Sequence, residues 1–121
     1  MIDPRHQNRL KIVQELFAEQ FNNQTSKSDK TKKIIGSLKK INAFIQKHAP
    51  KFPIDKIARI DLAILRLAVY ELTIEKKEPE KVIINEAVEL AKELGSKKSY
   101  SFVNAVLGKI YAEISAAGKK D

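Results

Sequence analysis

Apolar positions recur along this chain at spacings of three and four residues in five segments, separated by short polar stretches, which is the pattern of an all-helical protein. The densest segment is RIDLAILRLAVYEL, residues 59–72. Between residues 62 and 72 only Arg66, Tyr70 and Glu71 interrupt the apolar run, so hydrophobic side chains cover nearly the whole circumference of a helix. Such a helix belongs inside. It is rich in Leu and Ala, lacks Gly and Pro, and is too short to span a bilayer, which predicts the central helix of a small bundle.

The flanking segments read as its wrapping. Asp3 followed by Pro4 is a helix start, with Leu10, Val13, Leu16, Phe17 and Phe21 predicted on the inward face. Arg5 and Arg9, one turn apart, fall on the opposite, outward side. After the polar loop NNQTSKSD, one lysine-rich helix is predicted to about His48, burying Ile34, Ile35, Leu38, Ile41, Phe44 and Ile45 and ending at Pro50. The central segment begins either at Asp55 or at a break near Asp61. Pro79 and Gly95 bracket the next helix, with Ile84, Ala87, Val88, Ala91 and Leu94 inward. SKKS is read as a loop in which Ser99 caps the last helix, whose inward set is Phe102, Val103, Val106, Leu107, Ile110 and Ile114 before a frayed AAGKKD end.

Charge changes the picture by its placement. The net charge of +8 is concentrated in residues 22–51, where eight lysines face Asp29 alone. That asymmetry suits a polyanion partner. Lys97 and Lys98, feeding a helix amino terminus, form a second place where cations and free amides coincide. The absence of cysteine excludes disulfides and thiolate metal sites, and His6 and His48 alone make no histidine metal cluster. No secretory signal or membrane-length apolar run is evident, so a cytoplasmic protein is expected.

Catalytic machinery is missing: there is no glycine-rich phosphate loop, nucleophile elbow or cysteine nucleophile. Glu86, Glu89 and Glu93 recur along one helix without an accompanying histidine in sequence, which reads as a solvated edge. Asn85 and Asn104 interrupt apolar helical patterns. A structural role, locking the register of the last two helices through buried amides, is expected ahead of a ligand contact. A non-enzyme without metal or cofactor is the outcome.

Three linked patterns now become specific. IDLAILRLAVYEL, PEKVIINEAVELAKELG and SFVNAVLGKI, in this order and at these spacings, resemble the NusB family of bacterial transcription antitermination factors across residues 60–110, and VQELFAEQF is similar to the family's first helix. The resemblance implies one all-α domain over residues 1–121, a compact bundle of about five main helices in two packed subbundles (1–50, shortened, and 51–121). It also implies binding to a single-stranded element of nascent ribosomal RNA transcripts together with a small-subunit ribosomal protein, acting indirectly on the RNA polymerase elongation complex. Arg5 and Arg9 match places in the family's arginine-rich run, and Lys97 and Lys98 match a loop near the RNA; Asp61, Arg66, Tyr70 and Glu71 fall in the motif bordering the partner protein. The alternative is a protein-protein adaptor or assembly chaperone for that ribosomal protein with weak RNA binding of its own. An RNA-recruiting domain of a methyltransferase shares the fold, and this chain would then be a fragment or relic.

Overall fold

The computed structural model describes residues 3–22 and 26–118, and all regular structure among them is helical. Six helices follow in order: α1 (Pro4–Glu19), α2 (Asp29–Gly36), α3 (Leu38–His48), α4 (Arg59–Tyr70), α5 (Glu80–Leu94) and α6 (Lys97–Gly118). A short 3-10 turn, Ile54–Lys56, precedes α4, and a π-helical turn, Glu71–Glu75, extends it.

The hub is α4. Nine of its 12 residues are buried, among them Leu62, Ile64, Leu65, Leu67 and Val69, and it packs against α1, α2, α3, α5 and α6. A helix that meets every other one cannot keep a polar stripe, which explains the all-round apolar sequence. The open question at its start is settled by Ala58, the cap residue, so the helix begins at Arg59 and Asp61 lies in its first turn. At its end the Lys76 N–H donates to the Glu71 carbonyl at 2.9 Å, and Lys76 adopts φ 53°, the left-handed conformation that reverses the chain.

Asp3 caps α1 as expected, accepting from the Arg5 amide at 2.9 Å with Pro4 in the first turn. The inward face of α1 differs from the expected one. It is made by Arg9, Ile12, Val13 and Leu16, while Phe17 (36% exposed) and Phe21 (54% exposed) face outward. The reading is rotated because a long cation and two aromatics have each been placed by residue type instead of by partner.

The lysine-rich segment is two helices. Its apolar stripe runs through both, but the backbone breaks at Ser37, with φ −114° and ψ 13°. In α5 the buried set is Ile83, Ala87, Leu90 and Ala91, with Ile84 and Leu94 half-buried; Asn85 is exposed, as is Asn104 of α6, so neither amide locks the helix register.

The α5–α6 connection is tighter than a four-residue loop, because Lys97 and Lys98 already belong to the first turn of α6. Ser96, not Ser99, occupies the cap position. The Ser99 N–H faces Ser96 Oγ at 3.4 Å and the Ser96 N–H donates to Ser99 Oγ at 3.1 Å, a reciprocal capping arrangement. Gly95 is required by this closeness, since a Cβ there would lie 2.4 Å from Ser99 Cβ. The helix continues to Gly118 instead of fraying at Ala116.

Truncating the hub should be costly. Leu65 is fully buried, so Leu65→Ala is expected to lower stability by about 2–5 kcal/mol in denaturant titration. A shift below that range would mean that α4 is not the packing centre.

Candidate nucleic-acid and partner interface

The residues that attract attention in the sequence separate into buried organisers and surface groups. Arg9 is an organiser. Its side chain is buried, with Nε 3.0 Å from Glu71 Oε1 and Nη2 3.1 Å from Glu71 Oε2, and Nη2 also meets Glu78. Lys30 Nζ reaches the same Glu71 at 2.9 Å and Glu75 at 3.0 Å, while Arg5 extends to Glu78 at 3.4 Å. Three cations and three carboxylates thus form one chain linking α1, α2, the π turn and the segment before α5. Burial works against the charge of Arg9 and Lys30, but Glu71 and their second carboxylates more than offset it, and both pKa values are raised.

The expectation that Arg9 sits outward beside Arg5 is therefore corrected. Arg5 is exposed and Arg9 is spent inside. Nor do Arg5 and the Lys97–Lys98 pair form one tight cluster: Arg5 turns toward Glu78, before α5, whereas the lysines follow the last turn of that helix, which is about 22 Å long.

His6 joins α1 to α5. Its Nδ1 lies 2.7 Å from Glu86 Oε2 and its Nε2 lies 2.6 Å from Glu93 Oε1. A carboxylate at each ring nitrogen calls for two N–H donors, so the ring is an imidazolium, and the Glu86 bond, opposed by burial and aided by Glu93, raises its pKa. The edge of α5 is thus not simply solvated: the histidine missing from its sequence neighbourhood comes from 80 residues away.

Two surfaces remain. On α6, Lys98, Phe102, Ala105 and Lys109 recur at helical spacing on one outer face. Phe52, 47% exposed, packs edge-to-face on Phe102 with centroids 5.1 Å apart, and Lys51 and Lys109 line the same cleft of about 180 Å³. With Phe52 exposed and Phe102 half-buried beneath it, the pair offers one open ring edge among cations, the combination that unstacked bases and their phosphates require. The sequence reading missed Phe52, Lys51 and Lys109; it placed Phe102 inward, and that side chain does pack against the core while its half-buried ring also meets Phe52. The signal for the surface was the 98/102/105/109 spacing.

The second surface is apolar and lies at the other end of α1. Phe17 and Phe21 pack edge-to-face at 5.1 Å, Arg59 lies 4.8 Å over the Phe21 ring, and Phe17, Ile60 and Leu94 line an open groove of about 600 Å³. Arg59 also borders a neighbouring cleft of about 500 Å³ that includes Arg66. Large aromatics left exposed together mark a protein-docking face.

This scaffold has relatives. A sequence profile of the NusB family matches residues 5–112. The chain belongs to the NusB family. It is 41% identical over 100 residues to the transcription antitermination protein NusB of Agathobacter rectalis, covering 78% of this chain and 76% of that one. With the NusB of Shewanella amazonensis it shares 52% identity over 60 residues, which cover 50% of this chain and 45% of the relative. Among solved structures, T. maritima NusB superposes with a TM-score of 0.79 at 31% identity, covering 93% of this chain and 94% of that one. The fold also matches a chain from a complex of the antitermination factors NusB and NusE with double-stranded RNA, with a TM-score of 0.66, 22% identity and coverage of 92% and 99%.

Within this NusB-family fold, the four residues expected to border a partner protein are mostly interior. Asp61, Tyr70 and Glu71 are buried, and Glu71 is committed to Arg9 and Lys30. Arg66 is half-buried, with its Nε 3.1 Å from Asn42 Oδ1, and lines the cleft it shares with Arg59. The inward placement follows from α4 being surrounded. Among the described residues no cluster of three or more His, Cys, Asp or Glu side chains is arranged to hold a metal ion, and no helix is long and apolar enough to cross a membrane.

Two outcomes separate organisers from surface groups. Arg9→Ala removes the two-pronged partner of Glu71, leaves Lys30 alone to balance the buried carboxylate, and should cost up to about 3–5 kcal/mol, whereas Arg5→Ala, at an exposed pair, should change melting little. Equal melting of the two variants would contradict the assignment. For His6, whose ordinary pKa is 6.5, a raised folded value means that its contribution is complete below pH 6.5 and is lost as pH rises through the folded pKa. The stability gap between the native protein and His6→Gln should accordingly narrow above pH 6.5, and a pH-independent gap in denaturant titrations would show that the imidazolium bridge does not contribute.

Proposed function

We propose that this chain is a non-enzymatic, RNA-binding transcription antitermination factor. It engages a single-stranded element of nascent ribosomal RNA transcripts together with a small-subunit ribosomal protein, and through that complex acts in the cytoplasm on the elongating polymerase. Membership of the NusB family supports the reading, and so does the fold shared with a NusB in complex with NusE and RNA. The single observation that carries it is the Phe52–Phe102 pair, Phe52 exposed and Phe102 half-buried, flanked by Lys51, Lys98 and Lys109. Rings accept splayed bases, which a duplex does not offer, and the lysines neutralise backbone phosphates.

Lys97 and Lys98 act from the first turn of α6, where free amides add to their charge. Arg5 reaches the RNA only where the strand extends toward the far end of α5. Arg9 serves by holding α1 in place. The ribosomal protein takes the Phe17–Phe21 groove, leaving the RNA face free.

The adaptor reading draws on one observation, the burial of Arg9, which removes an arginine from the surface. It predicts RNA binding only when the ribosomal protein is present. A fluorescence titration with single-stranded RNA tests the primary reading: Phe102→Ala should weaken binding by about 1–3 kcal/mol, the usual worth of one stacked base. The Lys97→Gln/Lys98→Gln variant should flatten the dependence of affinity on salt. Unchanged affinity in Phe102→Ala together with an unchanged salt slope would remove the α6 surface from the function.

A further inference from the structure

The largest block of charge in the chain lies outside the surface just described. Lys32 and Lys33 of α2 and Lys39 and Lys40 of α3 are all exposed, and none has an ion-pair partner among the described residues. The contrast with Lys30 is informative: that lysine turns inward and is held by Glu71 and Glu75. Asp29, exposed in the first turn of α2, is the sole acid on the two helices.

Their arrangement is directional. Lys40 and Lys47 are seven residues apart in α3 and therefore share a face, about 10 Å along the axis. Lys47 Nζ lies 2.9 Å from Glu113 of α6, and Glu113 is one turn beyond Lys109, a wall of the aromatic cleft. The chain leaving α3 supplies Lys51 and Phe52 to the same cleft. The face of α3 that carries Lys40 and Lys47 thus leads to the Phe52–Phe102 pair, with Glu113 already neutralised where the two meet, and Lys39 and the lysines of α2 precede it along the chain.

We propose that the exposed lysines of α2 and α3 form a track for the RNA backbone flanking the recognised element, adding sequence-independent affinity for longer transcripts. The inference rests on the RNA reading above and extends it to a surface with no aromatic side chain to read bases. Amines on flexible stems suit this use, because they neutralise phosphates without imposing a base sequence. A nascent transcript always continues beyond a short element, so such a track would always have a strand to meet.

The test compares two single-stranded RNAs. One carries a ribosomal RNA leader element of roughly 10 nucleotides, and the other has the same element extended by roughly 10 uridines at each end. At low salt the native protein should bind the longer RNA several-fold more tightly. A variant with Lys32, Lys33, Lys39 and Lys40 each changed to Gln should keep its affinity for the short RNA and lose the gain from extension. Its salt slope on the long RNA should fall by about 0.7 for each phosphate contact removed. The corresponding four Lys→Arg changes should preserve the gain. A gain that survives the four Gln changes, or no gain in the native protein, overturns the track. Equal loss on both RNAs puts these lysines inside the primary site and overturns the flanking assignment. If the Gln variant instead loses only binding to the ribosomal protein, the face belongs to that partner. Failure of the native protein to bind either RNA would sink the RNA reading itself.

Discussion

The ion pair between Arg9 and Glu71 fixes the rest of the molecule. Both side chains are buried, 62 residues apart in sequence, and their attraction must overcome the desolvation of two charges. It does so with two-pronged geometry and with help on both sides: Glu78 is a second acceptor for Arg9, and Lys30 is a second donor to Glu71. The network joins the first helix, the second helix and the end of the hub. It sits where α4 widens into its π turn, so the carboxylates of Glu71 and Glu75 are presented together to Lys30. Hydrophobic contact alone is non-directional and would allow α1 to slide or rotate on α4. A buried, saturated charge network has few alternative registers.

This arrangement redistributes surface charge. Drawing Arg9 inward and clamping His6 between Glu86 and Glu93 commits two basic side chains of α1 to structure. What α1 then shows at its carboxy-terminal end is aromatic, Phe17 and Phe21, while free cationic charge gathers on α2, α3 and the outer face of α6. The aromatic face proposed for a protein partner and the cationic face proposed for RNA can coexist on so small a body because the ionic interior keeps them chemically distinct.

The sequence made the bundle readable because the hub's all-round apolar composition has one physical solution, and helical spacing identified Val13, Leu16, Ile41, Ile45, Ala87, Ala91, Val103 and Leu107 as inward. It failed where a side chain's position depends on a partner remote in sequence. Arg9 reads as a solvent group because arginine usually is, and nothing within a turn of Arg9 or of His6 announces Glu71 or Glu93. The break at Ser37 was hidden for another reason: the apolar stripe of α2 and α3 continues across it, and periodicity reports faces, not backbone continuity. Phe102 packs against the core as its helical spacing implies, and its second contact, with the exposed Phe52, depends on a residue 50 positions away that the spacing does not report.

The hub also governs the turn that carries Lys97 and Lys98. Asp61, in the first turn of α4, is buried with its Oδ1 unpartnered, and burial raises its pKa against the opposing influence of the nearby Ser99 hydroxyl. Ser99 is the same residue that shares the reciprocal cap with Ser96 and leaves no room for a side chain at Gly95. A continuous set of contacts therefore runs from the interior of α4 through Asp61 and Ser99 to the first turn of α6. Lysines on a mobile loop would lose conformational freedom on meeting phosphate, and that cost would come out of the affinity. Held on a capped helical turn, their backbone is ordered beforehand, so the packing that makes α4 the core is also what orders the surface proposed to meet RNA.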